Sequence, residues 1–205
     1  MPFGSDRNLE EVIGTFQITM HQERFIQPVP FPVDERFRQR LEFLRENAPV
    51  SASEAAICEF MIAPILQEVW VPYSDALMIW SHVSLSLDDK VEGFPDYFFA
   101  RRSPLGPIRD KPYVLFVEAK RDDFDAAWGQ CLAAMLAAQK LNRQPEGKIL
   151  GSVSNGRVWY FGHLIGTEFV QDPREFTINE LGELLAALSD VLGQAREQVL
   201  LATAA

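Results

Sequence analysis

Residues 112–119, Pro-Tyr-Val-Leu-Phe-Val-Glu-Ala, leave this chain the fewest structural options. A run so apolar and so rich in aromatic and β-branched side chains belongs in a buried strand. Its end breaks the pattern, because Glu118-Ala119-Lys120 places two ionisable groups where the apolar run stops. Side chains alternate along a strand, so Glu118 and Lys120 fall on one side with Ala119 between them. Charge on the edge of a buried strand costs free energy unless it is paired or holds a metal. A third ionisable group, Asp96, follows Pro95 at the start of another aromatic-rich segment.

The surrounding pattern sets the fold class. Residues 124–142 are rich in alanine and leucine with few charges in the middle, which predicts a largely buried helix. Strands are predicted at 148–154 and 157–163, joined by Asn155-Gly156 as a type I′ hairpin, with another near 167–170. A strand–helix–strand crossover from 112–119 through 124–142 to 148–154 is parallel and right-handed. Upstream, strands are expected at 76–87 and 96–102, the latter joined to 112–119 through a Pro- and Gly-containing loop over 103–111.

Further out, residues 12–20 suggest a strand, and the alternate prolines of 27–32 must run extended over the surface. Asp34 caps a helix ending near Asn47, with Phe37, Leu41, Phe43 and Leu44 as its apolar face. A helix over 52–67 opens on a Ser51/Glu54 capping box and kinks at Pro64. An amphipathic helix over 177–201 suits docking on the core or on a partner. The expected architecture is an α/β sandwich with a central mixed sheet flanked by helices. We expect one domain: a core over about 50–163, an N-terminal extension (1–49) with a helix, and the C-terminal helix.

Composition narrows the function classes. With 47% hydrophobic and 23% charged residues the chain has the balance of an ordinary globular protein. No uninterrupted apolar stretch reaches the roughly 18 residues of a membrane span, and no basic-then-apolar leader opens the sequence, so a cytoplasmic location and no membrane partner are expected. Cys58 and Cys131 read as two buried thiols rather than a disulfide or a metal site. His21, His82 and His163 are scattered without paired metal-ligand spacing, and neither a phosphate-binding glycine loop nor a nucleophile elbow is present. The net charge of −10 opposes nucleic-acid binding in bulk. Its distribution is more permissive: residues 101–157 hold ten basic and six acidic side chains, against nine and twenty-three elsewhere.

Two carboxylates and a lysine at strand ends can hold a divalent cation and position a water. Pro95-Asp96 with Glu118-Ala119-Lys120 resembles the PD-(D/E)xK, or restriction-endonuclease-like, phosphodiesterase signature. With Ser53-Glu54-Ala55, Pro64-Ile65-Leu66, Phe94-Pro95-Asp96-Tyr97 and Ser154-Asn155-Gly156, it looks similar to the N-terminal nuclease domain of type I restriction enzyme R subunits, over roughly residues 50–163. The resemblance implies Asp96, Glu118 and the Ala119 carbonyl as ligands of Mg²⁺ or Mn²⁺, and Lys120 acting on the attacking water or the charge developing at phosphorus. It also implies support from Glu54 and from Gln130, where the related groups have Gln-x-x-x-Tyr and this chain has Ala134. Glu59, about 140° round the helix from Glu54, is the reserve.

The expected function is a metal-dependent nuclease, with DNA the substrate, in a restriction, repair or mobile-element setting. The rival is a non-catalytic or partner-dependent binding module keeping the same fold. A helicase or methyltransferase partner and a homo-oligomer are the remaining expectations.

Overall fold

The computed structural model describes residues 8–88, 91–93 and 95–204, with backbone alone at 86–88, 91–93 and 203–204. Phe94 of the Phe-Pro-Asp motif lies outside the described residues. Ten strands and six α-helices are formed in this part of the chain.

Eight strands make one mixed sheet in the order β1(Thr19–Gln22)–β9(Glu168–Gln171)–β8(Val158–Ile165)–β7(Ile149–Ser154)–β6(Arg109–Ala119)–β5(Tyr97–Arg102)–β2(Leu77–Ser81), with β10(Phe176–Thr177) also on β8. The pairs β6–β7 and β1–β9 are parallel and the others antiparallel. The expected mixed α/β sandwich is therefore formed, with β6 inside it. From Pro112 to Ala119 that strand is buried, as its composition requires.

Helices cover both faces. On one, α1(Leu9–Phe16) and α5(Phe124–Asn142) pack over Phe98, Phe116, Val153 and Phe169. On the other, α2(Glu35–Asn47), α3(Glu54–Ile57), α4(Ala63–Trp70) and α6(Leu181–Ala204) pack over Phe99, Leu115, Val117 and Phe161. The strict alternation of a strand sends Phe98 and Phe99 into opposite layers, each contributing about 2–3 kcal/mol by burial. In α6 the buried stripe Leu184, Leu188, Val191, Leu192, Ala195 and Val199 seats on this chain's own core. The face that could have served a partner is occupied from within.

Several local expectations are corrected. Residues 9–16 are helical, because Asn8 accepts the Glu11 amide as a cap and Leu9, Val12, Ile13 and Phe16 recur at helical spacing. Only the strand's end survives, as β1. The single strand expected over 76–87 is two: β2 stops at Ser81, and β3(Leu85–Asp88) pairs with β4(Val91–Gly93) in a separate ribbon. Asp34 caps α2 as expected, accepting from Arg36 and Phe37, but Phe43 is 63% exposed. At Asn155-Gly156 only the glycine takes a positive φ, +79°, so the turn is not type I′, which needs both residues there. Instead Asn155 Oδ1 accepts from the amides of Arg157 and Val158.

The helix expected over 52–67 begins at Glu54, capped by Ser53, whose Oγ accepts the Ala56 amide at 3.0 Å. Ser51 lies in a 3₁₀ turn (Val50–Ala52), so no Ser51/Glu54 capping box exists and the Glu54 side chain is released from that duty. Between α3 and α4, Cys58–Ile62 form a π-helical turn in which the Ala63 amide donates to the Cys58 carbonyl. Pro64, in the first turn of α4, supplies no amide, and the wider turn immediately ahead absorbs the disturbance. The helical run 54–73 is long and apolar enough to cross a membrane by length and composition, yet Met61, Ile62, Ile65, Leu66 and Val69 are in the core.

His163 on β8 supplies a pH test of this packing. Its ring meets Phe25 edge-on at 4.6 Å, and its Nδ1 has no hydrogen-bond partner among the described residues. Burial, then the Lys148 and His21 charges, pull its pKa down to about 4. Between about pH 6.5 and 4 the unfolded chain therefore binds more protons, and stability falls as pH drops through that window. We expect a loss of about 1–2 kcal/mol on going from pH 7 to 5, and His163→Leu should remove this acid limb in urea titrations at the two pH values.

Candidate metal centre at the ends of β5 and β6

Antiparallel pairing sets Tyr97 opposite Val117, so the next residues outward, Asp96 and Glu118, also face one another. Glu118 is 4% exposed and Asp96 partly buried. Their side chains are within hydrogen-bonding reach of each other, and the Glu118 carboxyl also accepts the Asp96 backbone amide. Asp96 is held separately, its Oδ2 accepting the Ala119 amide at 2.8 Å.

Burial is the largest cause pushing the Glu118 pKa well above the carboxylate range, and the Asp96 charge pushes the same way. Asp96 is also raised by burial, against the Ala119 amide, His82 and Lys120, which favour its charged form. Two carboxyls this close cannot both ionise cheaply without a positive charge between them. A divalent cation supplies that charge, and the hard oxygen donors present suit magnesium or manganese. The residues therefore fit the implied metal.

Lys120 follows β6, its amide donating to the Ser154 carbonyl at 3.0 Å. Its charge acts on both carboxyls, and its Nζ lies 3.1 Å from Glu54 Oε2. The geometry thus joins Asp96, Glu118, Lys120 and Glu54. Ala119 contributes its amide, to Asp96. Gln130 is half-buried on α5, the helix that packs on β6 and β7. Glu59 is exposed on the π turn and lines a neighbouring groove.

Sequence reasoning missed His82. It follows β2, and the β2–β5 pairing that sets Ser81 opposite Tyr97 carries it to Asp96. Its amide donates to the Asp96 carbonyl at 2.8 Å, and its Nε2 lies 3.4 Å from Asp96 Oδ1. The available signal was a histidine at the end of one strand and an aspartate at the start of the strand paired with it.

No family model and no curated protein matches the chain. Among solved structures, the chain is similar to one in the DrdV–DNA complex determined by cryo-electron microscopy, at 16% identity and a TM-score of 0.43, over 80% of this chain. It spans 13% of the length of the chain it matches there.

Proposed function

We propose that this chain is a divalent-metal-dependent nuclease that hydrolyses phosphodiester bonds, with DNA as the substrate, in a restriction, repair or mobile-element setting. The supporting observation is the buried Asp96–Glu118 pair at the ends of adjacent strands, with Lys120 alongside. Asp96, Glu118 and the Ala119 carbonyl would hold magnesium or manganese, which would supply a Lewis acid and a more acidic water. Lys120 orients the attacking water and offsets charge developing on the phosphate oxygens. Glu54 positions the Lys120 ammonium through their 3.1 Å pair. Gln130 assists from α5, as the resemblance implies. In-line attack leaves a 5′-phosphate and a 3′-hydroxyl. Arg121, exposed next to Lys120, is available to the phosphate backbone.

The test is plasmid nicking with Mg²⁺ or Mn²⁺. Lys120→Ala should cut about 10²–10⁴-fold more slowly than the wild type, while retaining its melting temperature. Equal rates in the two preparations would remove the assigned chemistry. A second reading, a binding module that keeps the fold without turnover, draws on the net charge of −10 and on Ala134 at the family's tyrosine position. It predicts no carboxylate-dependent Mn²⁺ affinity; the nuclease reading predicts Mn²⁺ binding that Asp96→Asn abolishes.

A further inference from the structure

We infer that Cys58, His82 and Asp96 form a zinc site beside the proposed magnesium centre and sharing Asp96 with it. The proposal rests on the preceding reading only in calling Asp96 shared; the ligand set stands on its own geometry.

Three elements deliver the ligands: the π-helical turn (Cys58), the residue after β2 (His82) and the residue before β5 (Asp96). Their ligand atoms all lie within 4.8 Å of one another. The edge of a tetrahedron around zinc, with Zn–N and Zn–O bonds of about 2.0–2.2 Å, is about 3.3–3.6 Å long. His82 Nε2 and Asp96 Oδ1 are 3.4 Å apart, already at that edge. A shift of up to roughly 1 Å at the Cys58 sulfur closes the third position. One thiolate, one imidazole and one carboxylate form a donor set that suits zinc and is too soft for magnesium.

The groups behind the ligands fit the same use. His82 Nδ1 lies 2.8 Å from Ser81 Oγ, so with Nδ1 donating there, Nε2 presents its lone pair on the Asp96 side. Tyr97 shares hydrogen bonds with both the Cys58 thiol and the Ser81 hydroxyl, tying one ligand to the partner of another. His82 is held at φ +51°, a conformation uncommon outside glycine, by its amide bond to the Asp96 carbonyl. A groove of about 400 Å³ lined by Cys58, Ser81, His82 and Tyr97 adjoins the ligands and has room for a water or a ligand as the fourth donor.

The experiment titrates the full chain with Co²⁺, followed by its thiolate charge-transfer and tetrahedral d–d absorption, and with Zn²⁺ against a chromophoric chelator. One equivalent of zinc should bind tightly, and one equivalent of cobalt should carry the thiolate band. Cys58→Ser should abolish the charge-transfer band, and His82→Asn should weaken zinc binding by at least about 10–100-fold, the loss that removing a partner behind a ligand already causes. Asparagine tolerates the left-handed backbone, so the second variant keeps the fold even where the buried serine does not. Lys120→Ala should leave the cobalt spectrum unchanged.

A wild-type titration without a thiolate band, a band that persists in Cys58→Ser, or zinc affinity unmoved in His82→Asn would overturn the site. An unfolded Cys58→Ser protein transfers the decision to His82→Asn. None of these readouts depends on turnover, so loss of the zinc site and loss of the nuclease reading register separately: the first in the cobalt spectrum, the second in the plasmid assay.

Discussion

Glu118→Gln is expected to melt higher and to cut DNA at least about 10³-fold more slowly than the wild type. Both effects come from one buried carboxyl. Glu118 is almost fully enclosed, and burial together with the neighbouring Asp96 charge raises its pKa. An acid whose folded pKa is raised contributes most to stability below its unfolded value of about 4.5, and that contribution is lost as pH rises through the folded value. Glutamine is nearly isosteric, can still accept the Asp96 amide, and can donate to the Asp96 carboxylate. Relief of a buried, poorly compensated charge is worth about 1–3 kcal/mol, or about 2–12 °C in a chain of this size. The gain should be present at pH 8 and vanish near pH 4. Thermal melts of the two proteins across that range, beside a nicking assay in Mn²⁺, decide it. A glutamine variant that melts lower at pH 8 would mean that Glu118 is a well-paired structural acid.

The second large effect is Gly156→Ala, expected to destabilise the fold by about 2–4 kcal/mol. Gly156 sits at φ +79°, and a Cβ there would lie 2.8 Å from Met61 Cβ and 3.1 Å from Ile57 Cγ2. The first of these meets a stiff part of a buried side chain on the π turn, so relief requires moving the helix. Any such shift reaches Glu54, three residues before Ile57, and through it the Lys120 ammonium. Urea unfolding measures the stability change, and the nicking rate should fall even where the variant remains folded. Gly156→Ala with unchanged stability would show that the hairpin yields more easily than its contacts indicate.

Strongly periodic elements were legible in the sequence. The apolar run of β6 and the low polarity of α5 each have one plausible home, and the crossover from β6 through α5 to β7 fixes a parallel pair in the sheet. The misread segments carried two signals at once. Residues 12–20 hold Val12, Ile13, Phe16 and Ile18, which raise strand propensity, while the helical spacing from Leu9 and the Asn8 cap decided most of the segment. Asn155-Gly156 suggested a two-residue turn, but the Asn155 side chain captures two backbone amides and a longer turn results.

The site divides in the same way. Asp96, Glu118 and Lys120 sit in short motifs, so local sequence exposed them. His82 reaches Asp96 only through strand pairing across thirteen intervening positions, and Cys58 through packing of a helix against the sheet's end. Neither proximity has a local sequence signal. The Ser51/Glu54 box was a local match that lost to Ser53, one residue from the helix start, and the loss is informative: Glu54 is spared for Lys120.

The π turn at Cys58–Ile62 has a directional consequence. One residue advances an α-helix by about 100°, and a π turn takes up the equivalent of one extra residue without breaking the rod. The heading of α3, which aims Glu54 toward the end of β6, is thereby set independently of the heading of α4, which keeps Ile65, Leu66 and Val69 in the core. A helix without that slack would tie the two together, so that any drift in core packing along α4 would swing the acid away from the lysine. The inserted width works as a universal joint, and the chemistry at one end can be tuned by evolution without disturbing the foundation at the other.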